Sequence, residues 1–197
     1  MQRTTITNFA SAFLFAMALA TVSCNSAGEP GGNNEDTTSA SEATGENMAA
    51  EAKIAATYGD TAVTGNATFE NVNGKVKMVL NITVPSKANK SVAVHIHEHP
   101  GCGNNGKDAH GHWNPTNVAH GEWGSAAFHS GDIGNVELDG EGKGSKTLET
   151  DRWTIDGDST TNILNRSIIV HSGVDDYKSQ PSGDAGNRIG CGIINKK

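Results

Sequence analysis

The chain is poor in the features that build helical, membrane-spanning or nucleic-acid-binding proteins. Only 5% of its 197 residues are aromatic and 35% hydrophobic, and no stretch of helix length carries an amphipathic period, which excludes a helical bundle. Positive charge is scarce. Fifteen Lys and Arg stand against 22 Asp and Glu, for a formal net charge of −7, so nucleic acid is excluded as a partner. The longest apolar stretch, Phe9 to Val22, is too short to span a bilayer comfortably. No internal repeat is evident, and cysteine occurs three times, at positions 24, 102 and 191.

Glycine, in contrast, is plentiful at 24 residues, as short strands joined by many turns require. Strand patterns run over Ile54 to Tyr58, Val63 to Phe69, Val76 to Val84, Val92 to His97, Val136 to Leu138, Lys146 to Thr150, Ser167 to His171 and Ile189 to Ile194. Turn signals such as Asn73-Gly74 and Asp139-Gly140 lie between them. The run reads as an all-β sandwich or barrel, with one short helical turn expected near Thr160 to Asn165. The stretch from His99 to Asn135 has little periodicity, and a loop of that length needs something to order it.

Histidine supplies the answer. Six of the eight histidines, His95, His97, His112, His120, His129 and His171, together with Asp132, form a metal-ligand pattern. Singly, each is ordinary: His95-Ile96-His97 reads as a strand with both imidazoles on one face, and the others read as loop or strand-end residues. As a set they match two four-coordinate ions, with copper favouring an imidazole shell and zinc a tetrahedron of nitrogen and carboxylate donors. Two such ions need about eight ligand positions, and the chain offers seven residues. One imidazole must therefore bind both.

From about residue 52 to 194 the chain resembles the copper/zinc superoxide dismutases. The resemblance rests on His95-Ile96-His97-Glu98, Gly111-His112-Trp113-Asn114-Pro115, His120-Gly121, His129 to Asn135, Ile168 to His171 with Asp175-Asp176, and Gly183 to Ile193. It implies an eight-stranded Greek-key sandwich or flattened barrel with long metal-binding and active-site loops. Copper would be held by His95, His97, His112 and His171, and zinc by His112, His120, His129 and Asp132, with His112 the bridge and a proton carrier. Asp175 would hydrogen-bond ligands of both metals, Arg188 would dock the superoxide anion, and Cys102 would pair with Cys191 in a disulfide. The reaction implied is conversion of superoxide to oxygen and hydrogen peroxide by copper redox cycling. On the residues alone, a metal carrier without turnover and a zinc-stabilised structural protein stay open, although Arg188 argues against the carrier. The loop from Asp175 to Asp184 is shorter than in the longer family members and carries one lysine, Lys178, which with Arg188 would attract an anionic substrate. His99 and His110 fall outside the ligand set, as plain loop residues, the preferred reading, or as an auxiliary copper-acquisition site. Association as monomer or homodimer is open.

The N-terminal part reads as a targeting segment. Residues 1–23, with Arg3 ahead of the apolar stretch, are expected to be a signal peptide. Thr21-Val22-Ser23-Cys24 resembles a bacterial lipoprotein box, with Thr21 where leucine is usual, whereas Ala18-Leu19-Ala20 resembles an ordinary cleavage site. Lipidation at Cys24 is preferred because a stray thiol in an exported chain is a liability. Residues 24–50, rich in Ser, Thr, Gly, Asn and acidic side chains, then form a flexible linker, and residues 51–197 the metal-binding domain. The expected location is the bacterial cell envelope or periplasm, anchored through a lipid.

Overall fold

The computed structural model describes residues 48–197. The expected signal peptide, the Cys24 lipidation site and nearly all of the linker lie outside the described residues. The described chain is all-β: β1 (Ala49–Ala56), β2 (Thr64–Val72), β3 (Lys75–Thr83), β4 (Ser91–His97), β5 (Gly134–Glu137), β6 (Lys143–Thr150), β7 (Ser167–His171), β8 (Arg188–Ile193) and the two-residue β9 (Asn195–Lys196). Two single-turn 3₁₀ segments, Pro85–Lys87 and Lys107–Ala109, are the helical elements among the described residues.

Eight strands hydrogen-bond in the order β5-β4-β7-β8-β1-β2-β3-β6, all antiparallel, and β9 adds to β1. The β3-to-β4 and β6-to-β7 connections cross between distant strands, as in a Greek key, and the sheet curls into a nearly closed barrel. Period-two patterning explains the curl: Ala67 and Phe69 of β2, then Val76, Met78, Leu80 and Ile82 of β3, all point into one core with Val92, Val94 and Ile96 of β4. The Asn73-Gly74 turn closes β2 on β3 with both residues at positive φ, 51° and 78°, the conformation a two-residue hairpin needs.

One element differs from expectation. Residues 160–165 form turns rather than a helical turn, because side chains satisfy the backbone first. Asp158 accepts from the Thr160 backbone N–H at 2.9 Å, and the Asn162 side-chain oxygen accepts from the N–H groups of Asp156 and Leu164. Such local bonds compete with helix formation.

β4 also positions the site. Its even-numbered residues Val92, Val94 and Ile96 fill the barrel, which turns His95 and His97 to the outer face. There they are buried, at 0% and 1% exposure, because the 99–133 loop folds over them. The loop is stitched to the strand by Trp113 N–H to Ile96 O at 2.9 Å and Ile96 N–H to Gly131 O at 2.8 Å. A side chain at Gly131 would run into the Ile96 carbonyl, so only glycine permits this approach. At its near end the loop is tied to β8 by the Cys102–Cys191 disulfide, with Cα atoms 5.6 Å apart at a sequence separation of 89.

Candidate metal centre

Three elements deliver the ligand candidates to one place. β4 carries His95 and His97, the end of β7 carries His171, and the long loop contributes His112, His120, His129 and Asp132. Two groups result: His95, His97, His112 and His171, and His112, His120, His129 and Asp132, each with one donor atom per residue lying within 4.8 Å of the others. Ligands on opposite sides of an ion with bonds of about 2.1 Å stand about 4.2 Å apart, so the spacing suits a single ion in each group. His112 belongs to both.

The hydrogen bonding shows which nitrogens are free for metal. His95 Nδ1, His97 Nε2, His112 Nε2 and His171 Nε2 are buried without a hydrogen-bond partner, as are His120 Nδ1 and His129 Nδ1. Left unpaired, six such atoms would cost about 1–3 kcal/mol each, and an ion in each group would satisfy all of them. The opposite nitrogens are anchored: His95 Nε2 on Asp175 Oδ2 at 2.9 Å, His120 Nε2 on Asp175 Oδ1 at 2.9 Å, His97 Nδ1 on the His110 carbonyl at 2.8 Å, His129 Nε2 on the Val118 carbonyl at 3.1 Å and His171 Nδ1 on the Gly186 carbonyl at 3.4 Å. Such anchors fix tautomer and ring orientation. His112 alone has no anchor outside the two groups, since its Nδ1 faces Asp132 Oδ1 at 2.8 Å and its Nε2 faces the other group.

Asp132 is itself held for this task. The backbone N–H groups of Gly121 and His129 donate to its Oδ2 at 3.2 and 2.8 Å. The Nδ1 atoms of His112, His120 and His129 converge on the carboxylate at 2.8, 3.0 and 3.3 Å. The last two approaches lack hydrogen-bond geometry, as expected for donors arranged around a common centre.

The charge states follow from burial and these partners. Burial pulls the pKa of His95, His97 and His171 down and that of His112 to about 4, so these rings are neutral and ready to coordinate at neutral pH. His120 feels the same burial, but the carboxylates of Asp132 and Asp175 beside its two nitrogens outweigh it and push the ring up to about 9. A metal must therefore displace its proton. Burial would raise the carboxyls of Asp132 and Asp175, yet their histidine partners hold both well below the usual carboxylate range.

A cavity of about 230 Å³ opens above the first group, lined by His97, His112, His171, Ser182, Asp184, Ala185, Gly186 and Arg188. The wider grooves of about 540 and 650 Å³ lie over β2, β3 and β6 and over β5 and β6, and no histidine lines them. Arg188 is the one cation lining the smaller cavity, and its guanidinium is braced by bonds to the Gly106 carbonyl at 2.8 Å and the His110 carbonyl at 2.6 Å. Lys178 is not among the lining residues.

Sequence reasoning overlooked three supports. Gln180 clamps the backbone of His120 from both sides, accepting from its N–H at 2.9 Å and donating to its carbonyl at 3.0 Å. Asn135 does the same for Asp175, at 2.8 and 2.9 Å. His110 presents its carbonyl to both His97 and Arg188 from a backbone conformation of φ 62°, ψ −142°. That region costs a residue other than glycine about 1–3 kcal/mol.

Comparison with known proteins agrees with this geometry. Residues 63–194 match the family model described as copper/zinc superoxide dismutase. The chain is 34% identical to a Cu-Zn superoxide dismutase of Schizosaccharomyces pombe, over 72% of this chain and 95% of the relative. It is 33% identical to one from Deinococcus radiodurans, over 67% and 77% respectively, and 33% identical to one from Aquifex aeolicus, over 76% and 88%. Among solved structures, the crystal structure of the clock protein EA4 superposes with a TM-score of 0.65 at 30% identity, covering 76% of this chain and 94% of that one.

Proposed function

The chain belongs to the copper/zinc superoxide dismutase family, and from that premise we infer how its residues divide the work of converting superoxide to oxygen and hydrogen peroxide. Bound copper would supply a one-electron redox couple for superoxide, while zinc, with no accessible redox change, would hold geometry. His95, His97, His112 and His171 hold the copper. His112, His120, His129 and Asp132 hold the zinc. The observation that carries this assignment is the ring of His112, whose two nitrogens face the two groups while every other ligand ring has one nitrogen tied down elsewhere.

Substrate binding falls to Arg188. Superoxide is a small anion, and the guanidinium lines the cavity over the copper ligands while its braces on Gly106 and His110 keep it oriented. A fixed cation at the entrance raises the local substrate concentration and balances the charge of the bound anion. His112 is the proton carrier. Its burial favours the neutral ring, so a proton taken up at Nε2 is readily passed to the peroxide product. Asp175 keeps His95 and His120 in the tautomer that leaves their Nδ1 atoms free for metal. Every ligand candidate comes from one chain, so the site needs no partner subunit.

We further propose that the protein is exported and anchored to a bacterial cell envelope through a lipid on Cys24. Support comes from the apolar stretch before Cys24 and from the Cys102–Cys191 bridge, which suits an oxidising compartment. The mass of the mature N-terminus tests the anchor: a diacylated Cys24 is expected, and cleavage after Ala20 would refute it. Catalysis is tested with pulsed superoxide on protein whose metals have been counted. Copper- and zinc-loaded protein should remove superoxide over many turnovers, and His112→Ala should lose most of that activity. Stoichiometric quenching would overturn the enzymatic reading.

A further inference from the structure

The chain has eight histidines, and the two outside the binuclear groups, His99 and His110, lie against each other. They stand eleven positions apart in sequence, yet their ring centroids are 4.2 Å apart. Within the four-histidine group the pairwise centroid distances run from 4.0 Å, for His95 and His112, to 6.5 Å, for His95 and His97. The spacing of the outer pair falls within that range. Both residues are exposed, and neither ring takes part in a hydrogen bond or ion pair among the described residues.

The backbone brings the rings together at a cost. His99 N–H bonds to the Ala109 carbonyl at 3.2 Å and Glu98 N–H to the Gly111 carbonyl at 3.0 Å, which lays the two loop segments side by side. His110 then sits at φ 62°, ψ −142°, a conformation suited to glycine. That conformation aims the His110 carbonyl at His97 and Arg188 and leaves its exposed ring against His99. Two imidazoles exposed to solvent suit late first-row divalent ions, copper(II) most tightly.

We propose that His99 and His110 form a third metal site, separate from the binuclear pair, that binds one copper(II) ion at the surface with water completing the shell. The ion would exchange readily because two of its ligands come from the protein and the rest from solvent. The site adjoins the copper centre, since the His110 carbonyl accepts from both His97 and Arg188.

The test uses the full chain, loaded with one zinc and one copper, and titrated with copper(II) sulfate in buffered glycine. Metal counting after dialysis and the electron paramagnetic resonance spectrum are read together. Wild type should take up one further copper with nitrogen hyperfine structure distinct from the resident signal. His99→Ala should bind it at least tenfold more weakly while keeping both resident ions and its dismutase rate. His110→Gly, which relieves the strain and so should fold well, should show the same loss of the third ion. Equal uptake by wild type and His99→Ala, or no further uptake by wild type, would overturn the proposal. Loss of a resident ion from His99→Ala would overturn it as well, by making that ring part of the binuclear site.

Discussion

Replacing Asp175 with alanine should weaken zinc and copper together. Its carboxylate, 3% exposed, receives His95 Nε2 on one oxygen and His120 Nε2 on the other, both at 2.9 Å, with the Tyr177 N–H at 2.7 Å on the second. Removing it leaves two buried ring N–H groups without an acceptor and frees both rings to turn or change tautomer, which would put a proton where the metal binds. Loss of such an outer partner typically lowers metal affinity 10- to 100-fold, or about 1.4–2.7 kcal/mol per ion at 25 °C. The fold should survive, because Asn135 holds residue 175 through its backbone rather than its side chain. Equilibrium dialysis of the metal-free protein against buffered zinc, then of zinc-loaded protein against buffered copper, reads both constants. Both dissociation constants should rise within the 10- to 100-fold range. A rise below about threefold in both would refute the reasoning, since it would mean that the ligands orient themselves without Asp175.

Arg188→Gln should lower kcat/KM for superoxide about tenfold or more and flatten its dependence on ionic strength, whereas Arg188→Lys should retain part of the rate without the planar fork. Pulse radiolysis at several salt concentrations checks both. Changing Cys102 and Cys191 to serine removes a crosslink spanning 89 residues, for an expected loss of about 4–5 kcal/mol in the chain-entropy model, measured by denaturant unfolding. Acid should destabilise the metal-free protein. The pKa values of His95, His97 and His171 are lowered and that of His112 falls to about 4, so between about pH 6.5 and 4 the unfolded chain binds more protons than the folded one. His120, raised to about 9, works the other way, and its contribution is complete below about 6.5 and lost as pH rises through 9. Below pH 6.5 the His120 contribution is constant and the four lowered rings decide the slope, so thermal melts of metal-free protein should shift to lower temperature as pH falls from 6.5 to 4. An unchanged midpoint would contradict the burial of these rings.

Much of the barrel could be read from the chain because its strands alternate cleanly. β3, with Val76, Met78, Leu80 and Ile82 buried at every second position, lies within a residue of its expected limits, and β7 matches its limits at both ends. β1 was harder. It begins at Ala49, five residues ahead of the expected Ile54, because Ala50 and Ala52 are buried without being strong strand formers. The ligand candidates were legible for a chemical reason: imidazoles and a carboxylate are rare enough in combination to be noticed. The supports were not. Gln180 and Asn135 act through main-chain atoms of His120 and Asp175, and nothing in a sequence marks which backbone an amide will clamp. His110 offers only a carbonyl to the copper side, and a carbonyl belongs to every residue. Its ring meeting His99 depends on a positive φ that a histidine ordinarily avoids.

The assignment of two ions to one shared imidazole is tested most directly by a crystal structure of the zinc- and copper-loaded protein, with anomalous data collected at both metal edges. Zinc should lie about 2.0–2.1 Å from His112 Nδ1, with copper on the Nε2 side of the same ring among His95, His97 and His171. Two ions with no ring in common, or a single ion in the whole cluster, would contradict it.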